Sequence, residues 1–233
     1  MKSLIISDMH LGSPLFNSGN KIINILGNTY KEVFLLGDII DEWEEKVEKI
    51  KYNNKELILA INQKAVDCKV TIIMGNHDPS INTMRDIFPT AIVSEKYAYM
   101  CNDTILMHGN EFDHFIRDFS IISNIIYFIH LILERFGINI RETFRDLFYS
   151  ISSKRGKNYF EDLVTKVEKE TYDKYKDFHK NIIMGHTHLP KIVHLPEEVA
   201  EWKNRYINTG DCIHNRSYVI YDDEEDKFYI HEF

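Results

Sequence analysis

Five times along the chain, a short run of apolar residues stops at side chains able to bind metal or move protons. TIIM (71–74) leads into Gly75-Asn76-His77-Asp78, and LIIS leads into Asp8-Met9-His10. VFLL leads into Gly37-Asp38-Ile39-Ile40-Asp41, TILM into His108-Gly109-Asn110, and NIIM into Gly185-His186-Thr187-His188. Runs of about four to eight apolar residues bounded by turn residues read as strands buried on both faces. In open α/β sheets, sites form beyond the carboxyl ends of the strands. Convergence of these ends would gather Asp8, His10, Asp38, Asn76, His77, His108, His186 and His188 around one point.

The remaining pattern places these runs in a layered fold. Strands are predicted over 2–7, 33–36 and 70–74, with helical spacing at 21–26 and 56–67 between them. In the longer of these helices Leu57, Ile58, Ala60, Ile61 and Ala65 form the apolar face, which suits a helix lying on a sheet. This alternation of β and α is the mark of an α/β fold. A helix start is expected in the acidic run after Asp41. Residues 96–100 and 104–107 read as a hairpin. From 112 to 180 there is no strand pattern and no proline, and helices are predicted at 115–136, 141–151 and 157–178. The first has a wide face of Ile, Leu and Phe, with Arg117, Ser120, Asn124 and Tyr127 on the other side. This stretch reads as a helical cap inserted between the two halves of the site, within a single domain spanning 1–233. Strands return at 205–208, 217–221 and 227–232.

Composition narrows the class. A length of 233 residues bounds one domain or one domain with a cap. Hydrophobic residues make up 44% of the chain, enough for a substantial core, and a 12% aromatic share argues against disorder. The formal net charge of −8 is opposite in sign to that of a protein built to coat nucleic acid, so nucleic acid is a disfavoured partner. Cys68, Cys101 and Cys212 are odd in number and form no CxxC pair, which suits buried thiols in a reduced, cytoplasmic compartment. The N-terminal apolar run is interrupted by Asp8 and His10, unlike a signal peptide. No apolar stretch is long and unbroken enough to span a bilayer.

A mixture of carboxylate oxygen and imidazole nitrogen suits Mn, Fe or Zn better than Ca. Asp38 follows its glycine directly and is placed as the bridge between two ions. Such a pair can activate water and clamp a phosphoryl group for in-line displacement. Asn76 offers a neutral oxygen, which keeps the site positive enough to attract phosphate. His77 is adjacent, is not needed as a ligand, and is suited to protonating a leaving oxygen, with Asp78 orienting its ring. Asp41 is expected to orient the site or cap a helix. One histidine in a strand-end loop is more often an ordinary polar residue than a ligand; five blocks together favour metal. His114, His130, His179, His194, His214 and His231 lie outside the blocks and read as structural or surface residues.

Asp8-x-His10, Gly37-Asp38-x-x-Asp41, Gly75-Asn76-His77-Asp78, His108 and Gly185-His186-x-His188, in this order, resemble the signature of the calcineurin-like metallophosphoesterase superfamily. The resemblance implies a four-layered α/β/β/α sandwich with a dinuclear metal site. It assigns Asp8, His10, Asp38 and His188 to one ion, and Asp38, Asn76, His108 and His186 to the other. The stretches ISDMHLG, GDIIDEW, MHGNEFD, GHTHLP and YINTGDC look more closely like the UDP-2,3-diacylglucosamine pyrophosphatase family of the lipid A pathway. That likeness implies manganese, a cap that holds acyl chains, cleavage of a pyrophosphate in a nucleotide-lipid substrate, and peripheral membrane contact through the cap. Where that family typically has Arg, this chain has His77, and where it has Asp, this chain has Asn110. These departures leave the substrate open. A phosphodiesterase or nuclease on the same scaffold is the alternative, and a non-catalytic interaction module is disfavoured because every ligand position is filled.

Overall fold

The computed structural model describes residues 1–101, 103–112, 157–194 and 205–233. Two β-sheets carry the fold. The first runs in the order β11-β10-β1-β2-β3-β4, built from β1 (Lys2–Ile6), β2 (Glu32–Leu36), β3 (Lys69–Ile73), β4 (Ile92–Ser94), β10 (Ser217–Asp222) and β11 (Lys227–Glu232). Its first four strands are parallel, and β10 and β11 add to one side as antiparallel neighbours. The second sheet runs β5-β6-β7-β9-β8, built from β5 (Tyr97–Met100), β6 (Thr104–Met107), β7 (Asn181–Met184), β8 (Lys191–His194) and β9 (Arg205–Asn208). Here β6, β7 and β9 are parallel, with antiparallel strands at both edges.

The period-two geometry of a strand divides each apolar run between two cores. On one face of the first sheet, Leu4, Ile6, Val33, Leu35, Val70 and Ile72 pack with residues of α1 (Gly19–Leu26), α3 (Lys55–Asp67) and α4 (Ile81–Ile87). On the other face, Ile5, Phe34, Leu36 and Ile73 meet Leu106, Ile183 and Ile207 of the second sheet. Both faces are thus dry, which explains why the strands read as continuous apolar runs rather than as alternation. Helix α3 buries Leu57, Ile58 and Ile61 at helical spacing. In α4, the Ser80 hydroxyl caps the first turn by accepting from the Thr83 N–H.

The chain departs from the sequence reading in small elements. The helix expected directly after Asp41 is preceded by a turn, because the Asp41 carbonyl accepts from the N–H groups of Glu44 and Glu45. Helix α2 starts only at Val47 (Val47–Asn53). Strand β4, with three residues, and β8, with only two apolar residues between polar ends, show no pattern and are not among the expected strands. The chain divides into two compact units, Met1–Gly109 with Lys174–Phe233, and Asn110–Asp173. Both sheets and helices α1–α4 belong to the first. Of the expected cap over 112–180, the helices at 115–136 and 141–151 lie outside the described residues, while α5 (Lys157–Tyr175) is described. Among the described residues, no helix is long and apolar enough to cross a membrane.

At the ends of β7 and β9 opposite the expected site, a charged clasp ties the two sheets together. Buried Arg205 donates through Nε to Asn181 Oδ1 (2.9 Å) and through Nη2 to Asp226 Oδ1 (2.9 Å). Asp226, in the turn between β10 and β11, also accepts from Lys180 (2.7 Å) and from the Tyr221 hydroxyl (3.1 Å). Removing Arg205 leaves the buried Asn181 oxygen without its donor, while Asp226 keeps Lys180 and Tyr221. Arg205→Ala should therefore lower the unfolding free energy by about 2–3 kcal/mol, the scale of hydrogen bonds to charged groups. Urea denaturation checks this; a shift no larger than that of an exposed-lysine control would show that the clasp contributes nothing to stability.

Candidate metal centre

The parallel register sets the strand ends side by side. Ile6 pairs with Leu35 and Leu36 with Ile73 in the first sheet, and Met107 pairs with Met184 and Met184 with Asn208 in the second. The loops leaving these strands then meet. Two glycines allow that meeting. A Cβ on Gly75 would collide with the backbone N and side chain of Asp38, and a Cβ on Gly185 would collide with the Asp8 carboxylate. Several loop residues also turn sharply in the left-handed region: Asp8, His10, Asp38, His186 and His188 have φ between 50° and 63°. Non-glycine residues rarely adopt that conformation, and such strain collects at functional sites.

The ligand atoms gather in groups. Those of Asp8, His10 and His188 lie within 4.8 Å of one another, and so do those of Asp38, His108 and His186. His188 Nε2 stands 3.0 Å from Asp8 Oδ1. Asp38 Oδ2 lies 3.3 Å from His108 Nε2 and 3.8 Å from His10 Nε2, between the two groups. Four buried atoms, Asp8 Oδ1, His10 Nε2, Asn76 Oδ1 and His108 Nε2, have no hydrogen-bond partner. Burying unpaired polar atoms is costly, and four together describe a cradle for cations. Carboxylate, amide oxygen and imidazole are the donors that divalent transition metals accept, so the residues fit a metal centre.

The opposite ring nitrogens are anchored. His108 Nδ1 donates to the Leu36 carbonyl (2.8 Å), and His10 Nδ1 donates to Asp41 Oδ2 (2.8 Å). Each bond fixes the tautomer that leaves Nε2 as the electron-pair donor. Asp41 uses its other oxygen to accept from His77 Nδ1 (3.0 Å), so one buried carboxylate orients both a ligand ring and the neighbouring histidine. Burial works against the charge on Asp41, yet the bonds from His10 and His77 hold its pKa down to about 2. For His77, burial is outweighed by the Asp41 bond and the nearby Asp38 charge, which raise its pKa to about 9.

This corrects the role expected of Asp78. Its Oδ1 accepts from the N–H groups of Ile39 and Ile40, and its Oδ2 accepts from Gly75 N–H, each at 2.8 Å. It braces the loops after β2 and β3, and Asp41 orients the His77 ring instead. Burial and the Asp38 charge raise the pKa of Asp78 to about 6 against those backbone bonds. The sequence reading also missed Trp43, half exposed, whose ring lies 4.3 Å from that of His77 at 32°. It further missed Asn208, whose amide donates to the Gly185 carbonyl and to Thr187 Oγ1, both at 2.8 Å. The GDIIDEW and YINTGDC stretches held both residues, but nothing in their spacing pointed to the contacts.

Comparison with known proteins decides the family. The profile of the calcineurin-like phosphoesterases matches residues 1–214. The chain belongs to the calcineurin-like phosphoesterase family. It is therefore a hydrolase of the metallophosphoesterase type, in a family that is typically dimetal-dependent. Among solved structures, Yfce, a phosphoesterase from E. coli, is similar over 99% of this chain and 98% of its own, at 13% identity and a TM-score of 0.50. A conserved uncharacterized protein from Streptococcus pneumoniae, described as a predicted phosphoesterase, matches 100% of this chain and 96% of its own at 14% identity, with a TM-score of 0.41. Pseudomonas putida nuclease MPE matches 46% of this chain and 53% of its own at 16% identity, with a TM-score of 0.36. A sequence search among curated proteins found no match.

The site's own charges make metal binding compete with protons. Burial disfavours charge on His108, but Asp38 and Asp8 outweigh it and lift the pKa to about 10. His188 is likewise raised, chiefly by Asp8 against burial. The His108 ring thus carries a proton near neutral pH and must lose it to become a ligand. Divalent metal should bind more tightly as pH rises through the neutral range, with proton release. Calorimetry in buffers of different ionisation enthalpy measures that release; binding without it would remove His108 from the ligand set.

Proposed function

We propose that this chain hydrolyses a phosphoric ester or anhydride with two divalent ions held by Asp8, His10, Asp38, Asn76, His108, His186 and His188. The observation that carries this reading is the pair of ligand groups, Asp8–His10–His188 and Asp38–His108–His186, each with its atoms within 4.8 Å, among which Asp8 Oδ1, His10 Nε2 and His108 Nε2 are buried without a hydrogen-bond partner. Asp8, His10, Asp38 and His188 would hold one ion, and Asp38, Asn76, His108 and His186 the other. Bound there, the pair supplies Lewis-acid charge at the phosphoryl oxygens and an activated water. Manganese suits the oxygen and nitrogen donors, with iron or zinc as alternatives.

The chain's own residues do the rest. Asp38 sits between the two groups of ligand atoms and serves both. Asn76 contributes an oxygen without charge. His77 is a ring with Nδ1 fixed by Asp41 and Nε2 left to give a proton to the leaving oxygen. Its side chain is a quarter exposed, so a substrate can reach it. Asp78 keeps the loops of Asp38 and His77 in register through backbone bonds.

For the substrate, the pyrophosphate of a nucleotide-linked glycolipid is the class we infer. The stretches ISDMHLG, GDIIDEW, MHGNEFD, GHTHLP and YINTGDC support it, and the net charge of −8 counts against nucleic acid. A screen with manganese against a UDP-diacylglucosamine, an aryl phosphodiester, an aryl phosphomonoester and single-stranded DNA tests it. Preference for the DNA would replace the glycolipid reading with a nuclease, and preference for the phosphodiester would replace it with a phosphodiesterase. No turnover of any of the four by metal-loaded protein would sink the hydrolase reading for these substrate classes.

Asp38→Ala should lose at least one ion and abolish turnover; retention of both ions with full activity would refute its bridging place. His77→Ala should keep both ions and slow hydrolysis by about 10²–10⁴, the scale of a general acid. That deficit should shrink for a substrate whose leaving group is already acidic. Equal losses with good and poor leaving groups would make His77 a phosphate anchor.

A further inference from the structure

The left-handed ligand residues are not all held alike. Asp8 donates its N–H to the Gly37 carbonyl and accepts from Cys212 N–H, both at 3.1 Å. His10 donates to the Asp38 carbonyl at 2.8 Å, which secures both residues. His186 donates its N–H to Asp8 Oδ2 at 3.0 Å. These anchors lie among the converging strand ends. His188 is anchored from outside: its carbonyl accepts from the side-chain amide of Asn215 at 2.6 Å, and Asn215 is exposed. Asn215 is in turn set by Asp211, which is fully buried. Asp211 Oδ2 accepts from the Asn215 amide (2.5 Å), and its Oδ1 accepts from the N–H groups of Ile213 (2.7 Å) and His214 (2.5 Å).

His188 is also the least enclosed member of its group. Its side chain is 35% exposed, against 8% for His10 and 0% for Asp8. Asn208 grips the buried start of the same loop at Gly185 and Thr187. The exposed end, followed by Leu189 and Pro190, depends on the Asn215 amide. His188 sits at φ 57°, a region that non-glycine residues adopt uncommonly, so its backbone needs to be held.

We propose that Asn215, set by Asp211, is a positioning residue that latches His188 in place and so controls the affinity of one metal position, that of Asp8, His10 and His188, independently of the other. The inference rests on the metal reading above. Partners that orient a ligand without touching the metal typically change affinity by about 10–100-fold. Asn215→Ala should therefore weaken one of the two manganese binding steps by about that factor and leave the other unchanged. Asn215→Asp replaces the donor with a carboxylate set against Asp211, and should weaken the same step at least as much as the alanine variant.

The test is manganese titration of the metal-stripped full chain by calorimetry, with metal content after gel filtration and a thermal melt of each metal-free variant. Two binding steps in the wild type, with one selectively weakened in both variants and an unshifted metal-free melt, is the expected result. Unchanged affinities in Asn215→Ala, wild-type behaviour in Asn215→Asp, or equal weakening of both steps with a lowered melt would each overturn the latch while leaving the metal centre standing. A wild-type chain that takes up no manganese pair would overturn the metal reading itself, and the latch with it.

Discussion

Four carboxylates buried within a few loops are the constraint around which the structure is arranged. Asp8, Asp38, Asp41 and Asp78 are each 8% exposed or less. Ionised groups removed from water need compensating charge or hydrogen bonds. Each finds a different answer. Asp78 accepts from three backbone N–H groups, which only partly offset burial and the Asp38 charge, and Asp41 accepts from two imidazoles. Asp38 takes one backbone N–H, from His77, and turns its second oxygen toward the imidazoles of His108 and His10. Asp8 accepts one N–H from His186 and leaves Oδ1 with no hydrogen bond. The oxygens of Asp8 and Asp38 that take no backbone bond face the ring nitrogens of His10, His108 and His188. A cation would partner these oxygens and nitrogens at once.

The sheets exist to make that crowding possible. Parallel strands deliver their carboxyl ends to one edge, and two facing sheets bring two such edges together. Backbone must then approach side chain more closely than a Cβ permits, which is why Gly75 and Gly185 stand against Asp38 and Asp8. The left-handed turns at Asp8, Asp38 and His186 are the complementary device: each reverses the chain within a residue or two of leaving its strand. Strain of this kind persists only where the surroundings over-determine it. Here the buried rows Leu4–Ile6, Val33–Leu36 and Ile182–Met184 are the rigid surroundings.

This division explains what the sequence disclosed. Strands dry on both faces leave an apolar run that needs no alternation, so β1, β2, β3, β6 and β7 were legible to within a residue or two. The turn residues after them were legible because Asp, His and Asn interrupt hydrophobic runs abruptly. Strand β4 has three residues and β8 has only Ile192 and Val193 between Lys191 and His194, so neither carries a period. Contacts between side chains distant in the chain were not legible. Asp41 lies 31 residues from His10 and 36 from His77, and the spacing inside Gly75-Asn76-His77-Asp78 suggested Asp78 as the partner of His77 instead. Adjacent residues on a tight turn point in different directions, and Asp78 turns back into its own loop. Asn215 was hidden for the same reason, since its target His188 is 27 residues away on another strand end.

The choice of Asn at position 76 follows from the same electrostatics. Of the seven proposed ligands, only Asp8 and Asp38 carry formal charge. Two divalent ions bring about four positive charges, so the centre would keep about two toward the substrate, enough to attract a phosphate. A third carboxylate at position 76 would halve that excess and stand against Asp38, whose carboxylate accepts from the very next N–H, that of His77. An amide offers the same oxygen geometry without either penalty. Asp41, which is needed to hold His10 and His77, is kept one layer back, where its charge is matched by imidazole and does not face the phosphoryl group. The site thus separates its carboxylates by function: those that would meet the metal are few, and those that orient other residues are withdrawn behind histidine or backbone amides.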